Sequence, residues 1–229
     1  QSFQQRNTPE TCLVPTWGMA RGHVHVHHRG DRGVDGILRL IELAGHDGPL
    51  ETMLTAMCDQ VAAIAEVDIA SVYVREDESL VMRGNHGFGR EALGTTLGIG
   101  EGITGLVAEC MRPVSAARAE REAAYKAVPA LGEERFPAML AVPVVRAGAA
   151  AAVLVLPRGP AREFTGEEVV LATALAAVIS HALELADALE RAAREAGRAS
   201  VRLPGKALGP GAAMGRAALL PTLAALART

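Results

Sequence analysis

Four of the chain's seven histidines fall within six residues, His23-Val24-His25-Val26-His27-His28. In extended backbone, alternate side chains share a side, so His23, His25 and His27 could grip a divalent metal through their imidazoles. No cysteine or carboxylate joins them at ligand spacing, and no apolar pattern surrounds them to hold a geometry. The run therefore reads as an incidental tail, and no metal site is expected. A second string, Gly100-Glu101-Gly102-Ile103-Thr104-Gly105, spells G-x-G-x-x-G at the start of a helical pattern. Pyrophosphate binding by that motif needs a preceding buried parallel strand and a surrounding βαβ unit. Thr95-Thr96-Leu97-Gly98 is no such strand, so the glycines are expected to serve a turn and a tight helix start. That helix terminus retains the capacity to hold a small anion.

Nucleophilic and metal-assisted chemistry find no support. The sequence contains no G-x-S-x-G, P-loop, H-E-x-x-H or C-x-x-C string. Ser71, Ser79, Ser115, Ser180 and Ser200 have no base nearby in sequence. His181 lies in a helical pattern as an exposed or satisfied side chain, and Glu133-Glu134 and Glu167-Glu168 read as solvated charges. The three cysteines, Cys12, Cys58 and Cys110, are odd in number and far apart. Cys58 and Cys110 sit in apolar helical patterns, where a thiol acts as a small hydrophobe, and a reduced, cytoplasmic protein is the simplest expectation. A net charge of −3 offers no bulk attraction to nucleic acid or anionic lipid. No continuous apolar run nears the roughly 20 residues that cross a bilayer, and residues 1–33 lack a secretory h-region.

The elements that would position a site emerge from periodicity. Apolar content is 49% but aromatics only 3%, so the core must be built from Ala, Val, Leu and Ile. Ile37, Leu38, Leu40, Ile41 and Ala44 predict a short amphipathic helix. A second opens at Gly48-Pro49, with Leu50, Met53, Leu54, Met57, Val61 and Ile64 on one face. Ile69–Arg75 and Leu80–Arg83 predict a hairpin, and Ile103–Met111 a short helix ended by Pro113. Residues 115–137 predict a long polar loop, which in a compact domain is usually functional. Met139–Val145 and Ala150–Leu156 predict a second hairpin turning at Gly148, with Pro143 implying an edge or a bulge.

Thr165 and Glu168 form a capping box that opens a long helix. Leu171, Leu175, Val178, Ala182, Leu185, Leu189, Ala192 and Ala196 alternate steps of four and three, a heptad stripe. The beginning of the stripe is expected to pack on the sheet and its second half, which outruns a small domain, to form a two-helix homodimer seam; Leu171, Leu175, Val178, Leu185 and Leu189 are the seam residues expected. Asp187–Arg191 and Glu190–Arg194 are spaced for helix ion pairs.

This series of elements resembles the GAF fold. The strings Ser71-Val72-Tyr73-Val74, Gly100–Glu109, Gly132-Glu133-Glu134-Arg135-Phe136, Leu140-Ala141-Val142-Pro143-Val144 and Phe164–Glu168 carry the likeness. It covers about residues 36–190. Residues 100–143 look most like the GAF domain of nitrogen-type enzyme I, a phosphoenolpyruvate-protein phosphotransferase. The tail from Leu203 through Pro210-Gly211 to Ala217 resembles the opening strand of that enzyme's phosphotransfer region, with Gly209 in place of a usual serine. The phosphorylated histidine and the phosphoenolpyruvate-binding barrel have no counterpart before Thr229.

The resemblance implies an α+β, GAF-like (PAS-related) antiparallel sheet with helices packed on one face and a long C-terminal helix. It divides the chain into a disordered His/Gly/Arg-rich tail (1–35), a sensor domain (36–180), a helical linker or coiled coil (181–200) and a truncated start of an enzyme I-like region (201–229). It further implies regulation: a small metabolite, with glutamine or 2-oxoglutarate as candidates, modulates phosphotransfer to a carrier protein reached only through domains absent here. The chain itself is expected to be non-catalytic, without a cofactor, and without nucleic-acid or membrane partners. An amino acid or keto acid needs a cation or helix terminus for its carboxylate and a polar lid. Arg83, Thr104, Tyr125 and Arg135 are expected to supply these, with Tyr73 and Phe136 as walls. Two alternatives stand beside this one. The first is an interaction module that binds no ligand. The second is a cyclic-nucleotide site, for which Pro157-Arg158 stands where the family pattern has Asn-Lys, and Phe164 and Glu168 match in part.

Overall fold

The computed structural model describes residues 30–45 and 48–201. The His23–His28 run and nearly all of the 201–229 segment, including Pro210-Gly211, lie outside the described residues. Ten elements follow in order: α1 (Gly30–Ala44), α2 (Leu50–Ala65), β1 (Ala70–Glu76), β2 (Ser79–His86), β3 (Thr96–Gly98), α3 (Gly102–Cys110), β4 (Val114–Ala116), β5 (Ala138–Arg146), β6 (Ala149–Arg158) and α4 (Gly166–Val201). α1 starts upstream of Ile37, where the apolar pattern begins. Pro49 caps α2 rather than filling its first turn.

The strands form one six-stranded sheet, ordered β3-β2-β1-β6-β5-β4, with every neighbouring pair antiparallel. Both predicted hairpins are present. The β5–β6 turn holds Ala147 at φ 50° and Gly148 at φ 79°, the two left-handed residues that a two-residue primed turn demands. Pro143 is accommodated because β4 pairs only with Met139–Ala141, leaving the edge of β5 open beyond them. The ladder shifts register just after it, between Val144 and Val145.

Strand alternation sends side chains to two distinct cores. Ala70, Val72, Leu140, Val142, Leu154 and Leu156 face α1, α2 and α4. Tyr73, Leu80, Met82, Met139, Ala141, Val153 and Val155 face the opposite way, toward α3 and the long connection between β4 and β5. The antiparallel sheet with helices on one face and a long C-terminal helix is therefore the GAF-like α+β architecture expected from the resemblance.

α4 opens on the predicted capping box: the Glu168 amide donates to Thr165 Oγ1 at 3.2 Å, and the Thr165 amide donates to Glu168 Oε2 at 2.6 Å. Its core-facing stripe is Ala172, Leu175, Ala176, Ile179, Ala182, Leu183 and Ala186. The beginning of the stripe packs on the sheet, as expected, and this removes Leu171, Leu175 and Val178 from the expected seam. Leu175 and Ala182 are buried against the protein's own sheet, and Leu171 and Val178 pack at the margin of that core, so the first half of the heptad stripe cannot serve a partner helix. Burying a Leu or Ile contributes roughly 1.5–3 kcal/mol, which favours the sheet over solvent for this face. Leu185 remains 42% exposed and Leu189 is partly exposed. Asp187 pairs with Arg146 of β5 at 2.6 Å instead of with Arg191, whereas Glu190 and Arg194 do pair, at 3.0 Å. α4 is long and apolar enough over Gly166–Ala196 to cross a bilayer by length and composition, against the sequence expectation. The stripe packed on the sheet accounts for that apolar character.

Candidate ligand-binding site

The face of the sheet turned away from α1, α2 and α4 carries polar groups that an apolar core does not need. In β1, Tyr73 belongs to this face and Val72 to the other, so Ser71 shares the side of Tyr73. Ser71 pairs across the sheet with Asn85 of β2 and Val155 of β6. Its side chain is 1% exposed, and its Oγ has no hydrogen-bond partner. A buried hydroxyl without a partner costs about 1–3 kcal/mol, so it marks a position where a missing acceptor or donor would be welcome. Asn85 is satisfied: it donates to the Gly89 carbonyl at 3.2 Å and accepts from the Phe88 amide at 3.0 Å.

The roof has two parts. α3 contributes Ile103, Thr104 and Val107, all buried. The connection from 117 to 137 contributes Ala119, Tyr125, Val128 and Leu131, folded through three short 3-10 turns. This lid is tied down near α3. Lys126 Nζ donates to Glu101 Oε1, and Glu101 Oε2 accepts from the Gly98 amide at 2.7 Å. These two contacts hold the Glu101 carboxyl below its ordinary range, the Gly98 amide first and Lys126 second. At the far end Phe136 meets Phe88 edge-on, with ring centroids 6.4 Å apart.

Glu133 is the half-buried carboxylate of this lid, its other carboxylates being exposed. Its carboxylate accepts from the Val128 amide at 3.4 Å, yet burial and then the charge of Glu134 push its pKa up to about 7. Tyr73 and Tyr125 both feel it. Burial first and the Glu133 charge second raise the phenol of each, and Glu120 and Glu134 add to the effect at Tyr125. Ser71 and Tyr73 thus lie on the sheet face, and Tyr125 and Glu133 on the connection that covers it.

Of the residues named from sequence, Tyr73 is buried in this core and Tyr125 packs against it, Thr104 is buried in α3, and Phe136 meets Phe88. Arg83 does not. It lies toward α2 and is held by Glu51 and Glu76, each at 2.7 Å. Arg135 is exposed, its guanidinium 5.5 Å from the Phe136 centroid. Sequence reasoning missed Ser71 and misread Glu133 as a solvated charge. Strand alternation beside Tyr73 could have found the serine. Nothing in the run Glu133-Glu134 distinguishes the half-buried carboxyl from its exposed neighbour.

The G-x-G-x-x-G string proves to be backbone engineering. Gly100 and Gly102 adopt φ of 79° and 66°. A Cβ on Gly105 would lie 2.3 Å from the Gly98 carbonyl oxygen. The Gly100 amide donates to the Gly105 carbonyl at 2.9 Å. Pro157-Arg158 serves a different purpose from nucleotide binding. Arg158, 3% exposed, stacks 3.7 Å from the Phe164 ring centroid, pairs with Glu168 at 2.7 Å and donates to the carbonyls of Arg162 and Glu163. The partial Phe164–Glu168 match to a cyclic-nucleotide pattern is therefore a latch on the start of α4. Burial alone would raise the Glu168 carboxyl, but Arg162, Arg158 and the Thr165 amide together hold it down at about 2.

Comparison with known proteins agrees with this architecture. A family model described as GAF domain matches residues 48–184, more than half of the chain. A protein named phosphoenolpyruvate-dependent phosphotransferase system from Escherichia coli (strain K12) is 27% identical over 148 residues. That match covers 62% of this chain and 20% of the relative. Its counterpart from Salmonella typhimurium is 26% identical over 149 residues, with the same coverage. The chain thus spans about a fifth of the length of these relatives. Among solved structures, the GAF domain of a phosphoenolpyruvate-protein phosphotransferase from Coxiella burnetii superposes with TM-score 0.62 at 27% identity, covering 71% of this chain and 97% of that one. A free methionine-R-sulfoxide reductase from Neisseria meningitidis, solved with its substrate, shares the fold at TM-score 0.57 and 13% identity, covering 71% of this chain and 94% of that one.

Proposed function

This chain belongs to the GAF domain family, and on that premise we propose that it is the sensor module of a phosphotransferase-system enzyme, binding a small metabolite beneath the 117–137 lid. The observation that carries the reading is the buried, unpartnered Ser71 hydroxyl beside Tyr73, on the face the lid covers. The similarity to phosphoenolpyruvate-protein phosphotransferases supports the regulatory role and makes nitrogen-status metabolites, glutamine and 2-oxoglutarate, the first to test. The module works by binding rather than by catalysis. Fold relatives include reductases, but Cys58 lies among the residues facing the helices, on the other side of the sheet from the lid, with burial driving its thiol far above the ordinary range. Cys110, expected from sequence as a reduced thiol, is disulfide-bonded instead.

Ligand occupancy would reach the rest of the enzyme through α4. The Phe164 amide donates to Ser115 Oγ at 3.1 Å, so β4, where the lid begins, is bonded to the start of that helix. We propose homodimerisation as part of the same reading, through the exposed apolar residues Leu38 and Ile41 of α1 and Leu185 of α4, which lie on two helices that pack together.

Thermal shift against a metabolite panel tests the sensor reading. A ligand at about 100 times its dissociation constant stabilises the protein by roughly 2.7 kcal/mol. Ser71→Ala removes an unsatisfied hydroxyl, so the ligand-free variant is expected to melt within a few degrees of wild type while its ligand-induced shift shrinks. A variant that loses apo stability and keeps the full ligand shift would contradict the placement of the site at Ser71.

A further inference from the structure

We infer that residues 119–137 open as one hinged flap, whatever binds beneath them, and that the Lys126–Glu101 pair is the latch that keeps the flap shut. The hinge is local. The Ala119 amide donates to the Pro137 carbonyl at 2.7 Å, so the two ends of the loop meet beside the β4–β5 ladder. Compact loops with touching ends are held together by their own contacts. Here the amides of Glu122, Tyr125, Leu131 and Phe136 donate to the carbonyls of Ala119, Glu122, Val128 and Glu133, at 2.8–3.0 Å. The Glu133 carboxylate accepts from the Val128 amide within the same segment. Swinging the flap outward breaks none of these bonds, so opening strands no backbone group that was paired.

Glu120 pairs with the neighbouring Arg118. Beyond that, the hydrogen bonds and ion pairs of 120–136 reach one residue among those described: Lys126 Nζ donates to Glu101 Oε1. The catch is set before the flap arrives. Glu101 Oε2 accepts from the Gly98 amide at 2.7 Å, so the carboxylate stays aimed when Lys126 leaves. Gly102 makes room for the closed position. A Cβ there would lie 3.4 Å from Lys126 Cβ and 4.0 Å from the Ala124 carbonyl oxygen, so residues 124–126 rest against the start of α3. The apolar grip is small: Leu131 is buried, and Tyr125 and Val128 are partly buried against the same core. The two latch side chains are 50% and 39% exposed, which limits their effect on the open fraction to about two- to fivefold.

The chain contains two tyrosines, and they report on the two sides of the closure: Tyr73 lies on the sheet and Tyr125 in the flap. Fluorotyrosine incorporated into the full chain gives one fluorine resonance for each, assigned with Tyr125→Phe. A neutral gadolinium chelate added without any ligand relaxes each resonance according to its access to solvent. In Lys126→Met the relaxation of the Tyr73 resonance is expected to rise about two- to fivefold over wild type. Lys126→Arg, which keeps the charge, should restore it to near the wild-type value. Glu101→Gln keeps an acceptor for the Gly98 amide and should match Lys126→Met. The double variant should go no further than either single one, because both remove the same contact. Unchanged relaxation of Tyr73 in Lys126→Met, or effects that add in the double variant, would overturn the latch. Neither result bears on whether a metabolite binds, since no ligand is present. Should Glu101→Gln not fold, as judged by circular dichroism, the Lys126→Met and Lys126→Arg pair still decides the question.

Discussion

Glu133 is a half-buried carboxyl of the 117–137 connection, bonded to the Val128 amide. A carboxyl whose folded pKa is raised to about 7 binds more protons in the folded than in the unfolded chain between about pH 4.5 and 7. Stability therefore falls as pH rises through that window, and the full penalty is present above it. Glu133→Gln removes the penalty. The ligand-free variant is expected to be more stable than wild type by about 1–3 kcal/mol at pH 8 and indistinguishable from it near pH 4.5. Urea unfolding at the two pH values checks this, and an equal difference at both would show that the carboxyl is not the cause. Glu133 was illegible in the sequence because its role depends on which of two adjacent acids the 3-10 turn directs inward. Arg83 misled for the complementary reason. Strand periodicity alone does not reveal that the chain shifts register between Val72 and Tyr73, opposite the segment holding Arg83, or that Glu51 and Glu76 wait on the α2 side.

Among the elements, those with a strong period or a local signature were readable from sequence. The capping box of Thr165 and Glu168, both hairpins, the Pro143 edge and the tight start of α3 all depend on neighbours within a few residues. The long helix was legible as a helix whose first half packs on the sheet, but not in which residues face it. The buried stripe is Ala172, Leu175, Ala176, Ile179, Ala182, Leu183 and Ala186, and a heptad stripe and a sheet-packing stripe differ by less than a turn's rotation. What anchors α4 is non-local: Arg158 reaches from β6 to Glu168, and Arg146 from the far end of the hairpin to Asp187. Arg158→Ala leaves Glu168 half-paired and removes the ring stack on Phe164. It is expected to destabilise the fold by about 3–5 kcal/mol, the range for breaking a buried pair. Below about pH 2, where Glu168 itself becomes protonated, the difference should narrow. A denaturation midpoint unchanged at pH 7 would show that the latch is ornamental.

At the scale of the whole molecule, two cores flank the sheet. The helix-facing core is dense with Leu, Val and Ala and holds the sheet to α1, α2 and α4, whereas the opposite core, also largely aliphatic, includes Tyr73 and packs the partly buried Phe88 and Tyr125. The dimer proposed here uses what the first core leaves outside: Leu38 at 54%, Ile41 at 53% and Leu185 at 42% exposure. Leu185→Asp combined with Leu189→Asp is expected to halve the mass measured by light scattering without altering the far-ultraviolet circular dichroism. A wild-type protein already at monomer mass, or a double variant that stays dimeric, would contradict that interface.

The central claim, that the lidded face is a metabolite site, is tested most directly by amide hydrogen exchange of residues 117–137 with and without a saturating pool of free L-amino acids at pH 8. The lid packs through few apolar residues, so its amides should exchange readily in the free protein. Binding beneath it is expected to slow them at least tenfold while leaving α2 unchanged. Lid amides that exchange at the same rate in both samples, with keto acids and nucleotides equally without effect, would contradict the account.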